Sequence, residues 1–228
     1  MKRKFNHIIS LGSFCGVAME LEKKGLRPAS YPFDWLIDDE FDKVLALMEN
    51  NCKDFLDPAS MSRENRPDVY FNSKVNVHFY HDFNAIDPLE SQIPIQQKKY
   101  GRRIKRLYDD IRQPTLFIRY CKTSEDEAFI NNNKEEILKF LQSYNPENQI
   151  LYIMSSQTGN SMSIDSSGSG ICLIRQPKND FVRNWIDVVP GLRHHLYSVT
   201  GLSRFEILKN IFLCYKKKIV RKIIYCNP

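Results

Sequence analysis

The sequence predicts an α/β domain of three layers, with a mainly parallel central sheet between two layers of helices. Three observations carry this. A mostly apolar run, Ile8-Ile9-Ser10-Leu11, ends at Gly12 and leads through a short turn into an amphipathic helix starting near Cys15. Thr115–Tyr120, Lys134–Tyr144 and Ile150–Met154 read as apolar strand, helix and apolar strand, the pattern of a parallel βαβ crossover. Ile171–Arg175 adds a further short strand. Strands that are apolar along their length, rather than alternating, are those covered on both faces.

The first helix is expected to stop at Gly25, a residue suited to a helix C-terminus. Pro28 and Pro32 then forbid regular helix through Leu26–Leu36. A second helix is predicted over about Asp39–Glu49, with Phe41, Val44, Leu45 and Met48 on one face. Turn signals at Asp57-Pro58, Arg66-Pro67-Asp68 and Asn72-Ser73 make residues 50–75 read as irregular. Val75–Phe83 alternates as a strand does, sending His78 and His81 to opposite faces. Gln92–Arg112 reads as a long basic helix that ends before Pro114. Residues 155–170 are polar and glycine-rich, a loop over a site or a surface insertion. Asp180–Trp185 and its flanks, with His194-His195 in a polar loop, complete the body.

With 228 residues, 42% of them hydrophobic, the chain fits one domain, taken as residues 1–203, and a basic tail over 204–228. The net charge of +6 belongs to that tail, which holds seven Lys/Arg and one Glu, while residues 1–203 balance to zero. The body is therefore not expected to bind nucleic acid. No spanning helix and no secretory h-region is evident, which predicts a cytoplasmic protein. Six scattered cysteines without a Cys-x-x-Cys pair favour free thiols over a zinc ribbon or disulfide scaffold. No metal is expected, because His78 and His81 are sent to opposite faces and no Cys-x-x-Cys pair exists, and no cofactor, because Gly12-x-x-x-Gly16 is not the Gly-x-Gly-x-x-Gly of a dinucleotide site.

In the tail, Phe205, Leu208, Phe212, Tyr215 and Ile219 recur at helical spacing, with Lys209 and Lys216 off the stripe. This fits a C-terminal helix packed on the core, the preferred reading, or a basic amphipathic helix making peripheral contact with an anionic membrane.

Cys15 is the candidate nucleophile, since a helix N-terminus beyond a buried strand is expected to depress a thiol pKa. A small buried cysteine is the competing reading. His81 is the leading base, with His194 and His195 as rivals. Asp34, between Phe33 and Trp35, is either a helix N-cap or a buried carboxylate able to orient an imidazole. Arg102 and Arg103 could meet an anionic substrate, or could form one solvated helix face.

Four blocks in order, Ser10-Leu11-Gly12-x-x-Cys15, Arg27-x-x-Ser30-Tyr31-Pro32-Phe33-Asp34-Trp35, His81-Asp82-Phe83 and Tyr100-x-Arg102-Arg103-Ile104-x-Arg106-Leu107, resemble an uncharacterised bacterial and viral family described as papain-like cysteine peptidases. The resemblance spans roughly residues 8–155 and implies Cys15 as nucleophile with His81 as base. It also implies an α+β papain-like fold with a glutamine before the cysteine. No Gln precedes Cys15, and the βαβ signature keeps the parallel sheet as the prediction. The first reading is thus a cysteine-dependent hydrolase using Cys15, His81 and Asp34, with Arg27, Ser30, Arg102 and Arg103 around an undefined peptide, acyl or glycan-linked substrate. The second is a Rossmann-like glycan-pathway transferase, in which Arg27, Arg102 and Arg103 meet phosphate and Cys15 only lines the pocket.

Overall fold

Alternation along each strand of the central sheet divides the apolar residues between two cores. Ile8 and Ile9, Leu116 and Phe117, and Leu151 and Tyr152 each send neighbouring side chains to opposite faces. The computed structural model describes residues 4–175 and 184–226. The chain opens with β1 (His7–Ser10) and α1 (Cys15–Lys23), then passes a 3-10 turn (Pro32–Trp35) to β2 (Leu36–Ile37) and α2 (Phe41–Glu49). Three short strands follow, β3 (Met61–Arg63), β4 (Tyr70–Asn72) and β5 (Val77–Phe79), before α3 (Leu89–Asp110). Next come β6 (Thr115–Tyr120), α4 (Ser124–Gln142), β7 (Gln149–Ser156), β8 (Ser161–Ile164) and β9 (Gly170–Arg175). The helices α5 (Trp185–Val188), α6 (Leu192–Val199) and α7 (Arg204–Cys226) complete the described elements.

The main sheet has the order β1-β6-β7-β9-β8, parallel throughout except for the edge strand β8. Its strands belong to an α/β fold, as predicted, and not to the α+β arrangement that a papain-like name implies. One core, on the side of α1, α5 and α6, contains Val17, Leu21, Trp185 and Leu196. The other contains Phe41, Val44, Leu107, Ile137 and Leu141 from α2, α3 and α4. This second core also takes in Leu36, Val77 and Phe79 of a small antiparallel sheet, ordered β2-β5-β4-β3.

Several boundaries differ from the sequence prediction. Residues 50–75, read as irregular, contain β3 and β4, each three residues long and too short to show periodicity. The strand expected over Val75–Phe83 is only Val77–Phe79. His81 therefore lies beyond it and is exposed, while His78 pairs with Glu64. The polar stretch 155–170 supplies β8, which pairs Ser161–Ile164 against β9. Helix α4 starts ten residues before the predicted Lys134, capped by Thr123, whose hydroxyl accepts from the Asp126 N–H at 3.1 Å. A kink at Asn133 separates this polar first half from the periodic second half. His194 and His195 sit in α6 and not in a loop. Most of the segment expected around Asp180 lies outside the described residues. The apolar stripe of α7 is also not where core packing would put it: Phe205, Leu208, Phe212 and Ile219 are exposed.

Candidate functional site

The turn after β1 is set by Gly12, whose φ of +84° is a left-handed conformation that favours glycine. A Cβ there would overlap Asp38 Oδ2. The Gly12 N–H donates to Ser10 Oγ at 3.2 Å, and Leu11 N–H donates to the Ile118 carbonyl at 2.8 Å, tying the turn to the end of β6. Phe14, extended at the N-cap of α1, packs its ring edge-on against Tyr120 at 4.9 Å. Cys15 is then the first residue of the helix. Of the five cysteines with described side chains, Cys52, Cys121, Cys172 and Cys214 are buried, while Cys15 is half-buried. Burial pushes the Cys15 thiol up from its ordinary value, against a hydrogen bond from its own backbone N–H. The depression expected from the helix terminus is outweighed, because withdrawing a thiolate from water costs more than one N–H returns.

The Arg27–Trp35 block is built around a buried ion pair. Arg27 Nη1 donates to Asp34 Oδ2 at 2.6 Å, and also to Ser30 Oγ at 3.1 Å and the Ala29 carbonyl at 3.0 Å. Its Nε holds the Ala18 carbonyl of α1 at 3.1 Å, and its Nη2 reaches Glu22 Oε2 at 3.1 Å. Asp34 Oδ2 also accepts from the Tyr31 N–H at 2.8 Å, closing the cap of the 3-10 turn. Asp34 is therefore not the N-cap of a following helix but the third residue of a turn capped by Tyr31, and its carboxylate faces Arg27 instead of an imidazole. Burial raises the Asp34 carboxyl to about 6 despite the Arg27 charge, with the Arg103 charge acting in the same sense as Arg27. From α3, Arg106 Nη1 donates to the Ser30 carbonyl at 2.6 Å, and Asp110 Oδ2 accepts from Tyr31 Oη at 2.7 Å.

A second buried cluster was not anticipated. Arg119, in the middle of β6's apolar run, is fully buried between Asp38 and Asp126. Its Nη1 donates to Asp38 Oδ1 and, at 3.0 Å, to the Leu11 carbonyl; Nε and Nη2 reach Asp126 Oδ2 at 3.3 and 3.0 Å. Asp126 Oδ1 accepts from the Phe41 N–H at 2.9 Å, fixing the start of α2. The Asp38 N–H donates to the Ser13 carbonyl at 3.1 Å, which joins this cluster to the Cys15 turn. Burial raises the Asp38 carboxyl to about 6 against the Arg119 charge. A cation inside an otherwise apolar strand was the sequence signal, since such a group must be paired when buried.

The remaining predicted residues are spread around this frame. His81 is exposed and meets Trp35 edge-on, with ring centroids 6.2 Å apart. Trp35 in turn carries the Arg27 guanidinium 5.7 Å from its ring centroid. Asp82 is drawn inward by Lys99 and by the Tyr100 hydroxyl at 2.9 Å. Arg103 lies over the Tyr100 ring at 5.0 Å, whereas Arg102 is exposed. The structure therefore brings Arg27, Ser30 and Asp34 together and places Arg103 near them. Among the described residues no imidazole hydrogen-bonds Cys15. The three nitrogens of Arg27 are engaged within the protein, which disfavours the phosphate contact assigned to it by the transferase reading.

Residues 6–154 match a family model described as "Putative papain-like cysteine peptidase (DUF1796)", over more than half of the chain. The chain belongs to this family. The matched stretch holds the Cys15 turn, both buried arginine clusters and His81, while α5, α6 and α7 lie outside it. An uncharacterized protein of Acanthamoeba polyphaga mimivirus is 32% identical over 120 residues, covering 44% of this chain and 54% of the relative. The chain thus spans about half the length of that viral relative. No solved structure matches it.

Proposed function

We propose that this member of the papain-like cysteine peptidase family is a cysteine-dependent hydrolase with Cys15 as its nucleophile. One observation carries the reading: Cys15 alone among the described cysteines is not buried, and it sits where β1 ends and α1 begins. Crevices at the carboxyl ends of parallel strands are the usual ligand position of such sheets. In this reading His81 removes the Cys15 proton as the sulfur attacks a substrate carbonyl, and the N–H groups of α1's first turn receive the oxyanion. The imidazolium then returns its proton to the leaving group as the carbonyl–leaving-group bond breaks. Water hydrolyses the thioester by the same base, releasing acid and thiol. Asp34 acts as a positioning residue, holding the turn that carries Trp35, against which His81 rests.

Because burial keeps the thiol protonated, attack requires a base at the moment of reaction rather than a preformed ion pair. The test is acylation by a p-nitrophenyl ester, followed by intact mass and nitrophenolate release. An adduct on Cys15, absent in Cys15→Ala and formed about 100-fold more slowly in His81→Ala, is the expected result. An unchanged burst in Cys15→Ala would remove Cys15 from the chemistry. An unchanged rate in His81→Ala would remove His81 as base.

A further inference from the structure

Helix α7 is fixed to the body through one side only. Asn210 Nδ2 donates to the Gly25 carbonyl at 3.0 Å, Lys217 Nζ to Glu22 Oε1 at 3.1 Å, and Cys214 is buried. The fit is close at Gly25, where a Cβ would stand 2.5 Å from the Ile207 carbonyl oxygen and 3.0 Å from Ile211. These contacts set the rotation of the helix about its axis. Phe205, Leu208, Phe212 and Ile219 then fall on a stripe roughly half a turn away from the packed side. They are between 58% and 76% exposed.

Lys209 and Lys216 run along one border of this stripe, both exposed. The acidic side chain of the helix, Glu206, is turned back to its first turn, where Oε2 accepts from the Ser203 N–H at 2.8 Å and the Ser203 hydroxyl at 2.7 Å. The whole excess of positive charge in the chain lies in residues 204–228.

We infer that this face of α7 lies on an anionic lipid bilayer. Its four apolar side chains enter the boundary between headgroups and acyl chains, and the bordering ammonium groups meet the lipid phosphates and carboxylates. Charge decides the occupant. A second copy joined antiparallel through the same face would set lysine rows against lysine rows in an isologous contact. An anionic surface instead complements both the stripe and its border. No helix among the described residues is long and apolar enough to cross a membrane, so the contact is peripheral. The inference is independent of the chemistry at Cys15.

Flotation of the full chain tests it, using phosphatidylcholine vesicles with about 30% phosphatidylserine and vesicles of phosphatidylcholine alone. Binding is expected on the anionic vesicles and to be at least about tenfold weaker on the neutral ones. Phe205→Ser with Phe212→Ser should abolish it, and Lys209→Glu with Lys216→Glu should weaken anionic binding at least about tenfold. All these side chains are exposed, so thermal midpoints should stay near that of the parent. Absence of wild-type binding, or binding indifferent to both double variants, would overturn the inference. A solution dimer that the phenylalanine variant dissociates, with no vesicle binding, would assign the face to a second copy instead.

Discussion

Two buried arginines bracket the Cys15 turn, and they are enclosed differently. Arg119 is sealed: its partners are Asp38, Asp126 and the Leu11 carbonyl, all inside the fold. With two carboxylates around one guanidinium, this cluster carries an excess negative charge when all are ionised. Arg27 is vented: it holds the buried Asp34, but its outer nitrogen reaches Glu22, which is partly exposed and shared with Lys217 of α7. The sealed cluster sets the fold around the turn, joining β1, β6, α2 and α4. The vented one ties the 3-10 turn to a surface helix, where solvent offers its charges an alternative partner.

The largest effect should come from breaking the sealed cluster. Arg119→Met leaves Asp38 and Asp126 buried without their cation and should cost about 3–5 kcal/mol, read as a fall in the urea midpoint. A loss under about 1 kcal/mol would show that water enters the cluster and that it is not sealed.

The next largest effect is on pH dependence. The Asp38 carboxyl titrates near 6 in the folded chain, against 3.8 for the ordinary group. The folded state therefore holds this proton more tightly, and its contribution to stability is lost as pH rises from about 4 through about 6. A displacement of this size corresponds to about 3 kcal/mol. Asp38→Asn should flatten the stability profile over this window, leaving the Asp34 and Asp126 contributions, which have the same sign because burial raises both carboxyls. Unfolding free energies measured across the window should show it, and an unchanged slope would place the titration elsewhere.

The smallest effect belongs to the vented side. Glu22→Gln removes a partly exposed partner of Arg27 but leaves the Asp34 pair, and should cost less than about 1 kcal/mol. A loss comparable with that of Arg119→Met would mean that the two arginines are not differently enclosed after all.

Legibility followed the range of the information. Helix α3 and strands β6 and β7 were predicted to within a few residues, because each has enough length for its periodicity to show. Strands β3, β4 and β5 have three residues each, and a register that only their neighbours in the sheet define. At the candidate site, the sequence singled out Cys15 and the Arg27–Trp35 block, where the interacting residues lie within a few positions of one another. It did not anticipate the Arg119 cluster: Arg119 reaches Asp38 across 81 positions and Leu11 across 108, and Asp126, although only seven positions away, lies in the polar first half of α4 that shows no apolar periodicity.

The sequence by itself determined the strand–turn–helix that carries Cys15, the parallel order implied by the βαβ unit, and the apolar stripe of the tail. These follow from spacing along the chain and from the backbone freedom of Gly12. Only the tertiary structure decided which carboxylate meets which arginine, that Asp34 faces Arg27 and His81 faces Trp35, and which side of α7 turns outward. Such choices depend on which surfaces are withdrawn from water together. Burial, unlike periodicity, is a property of the packed chain.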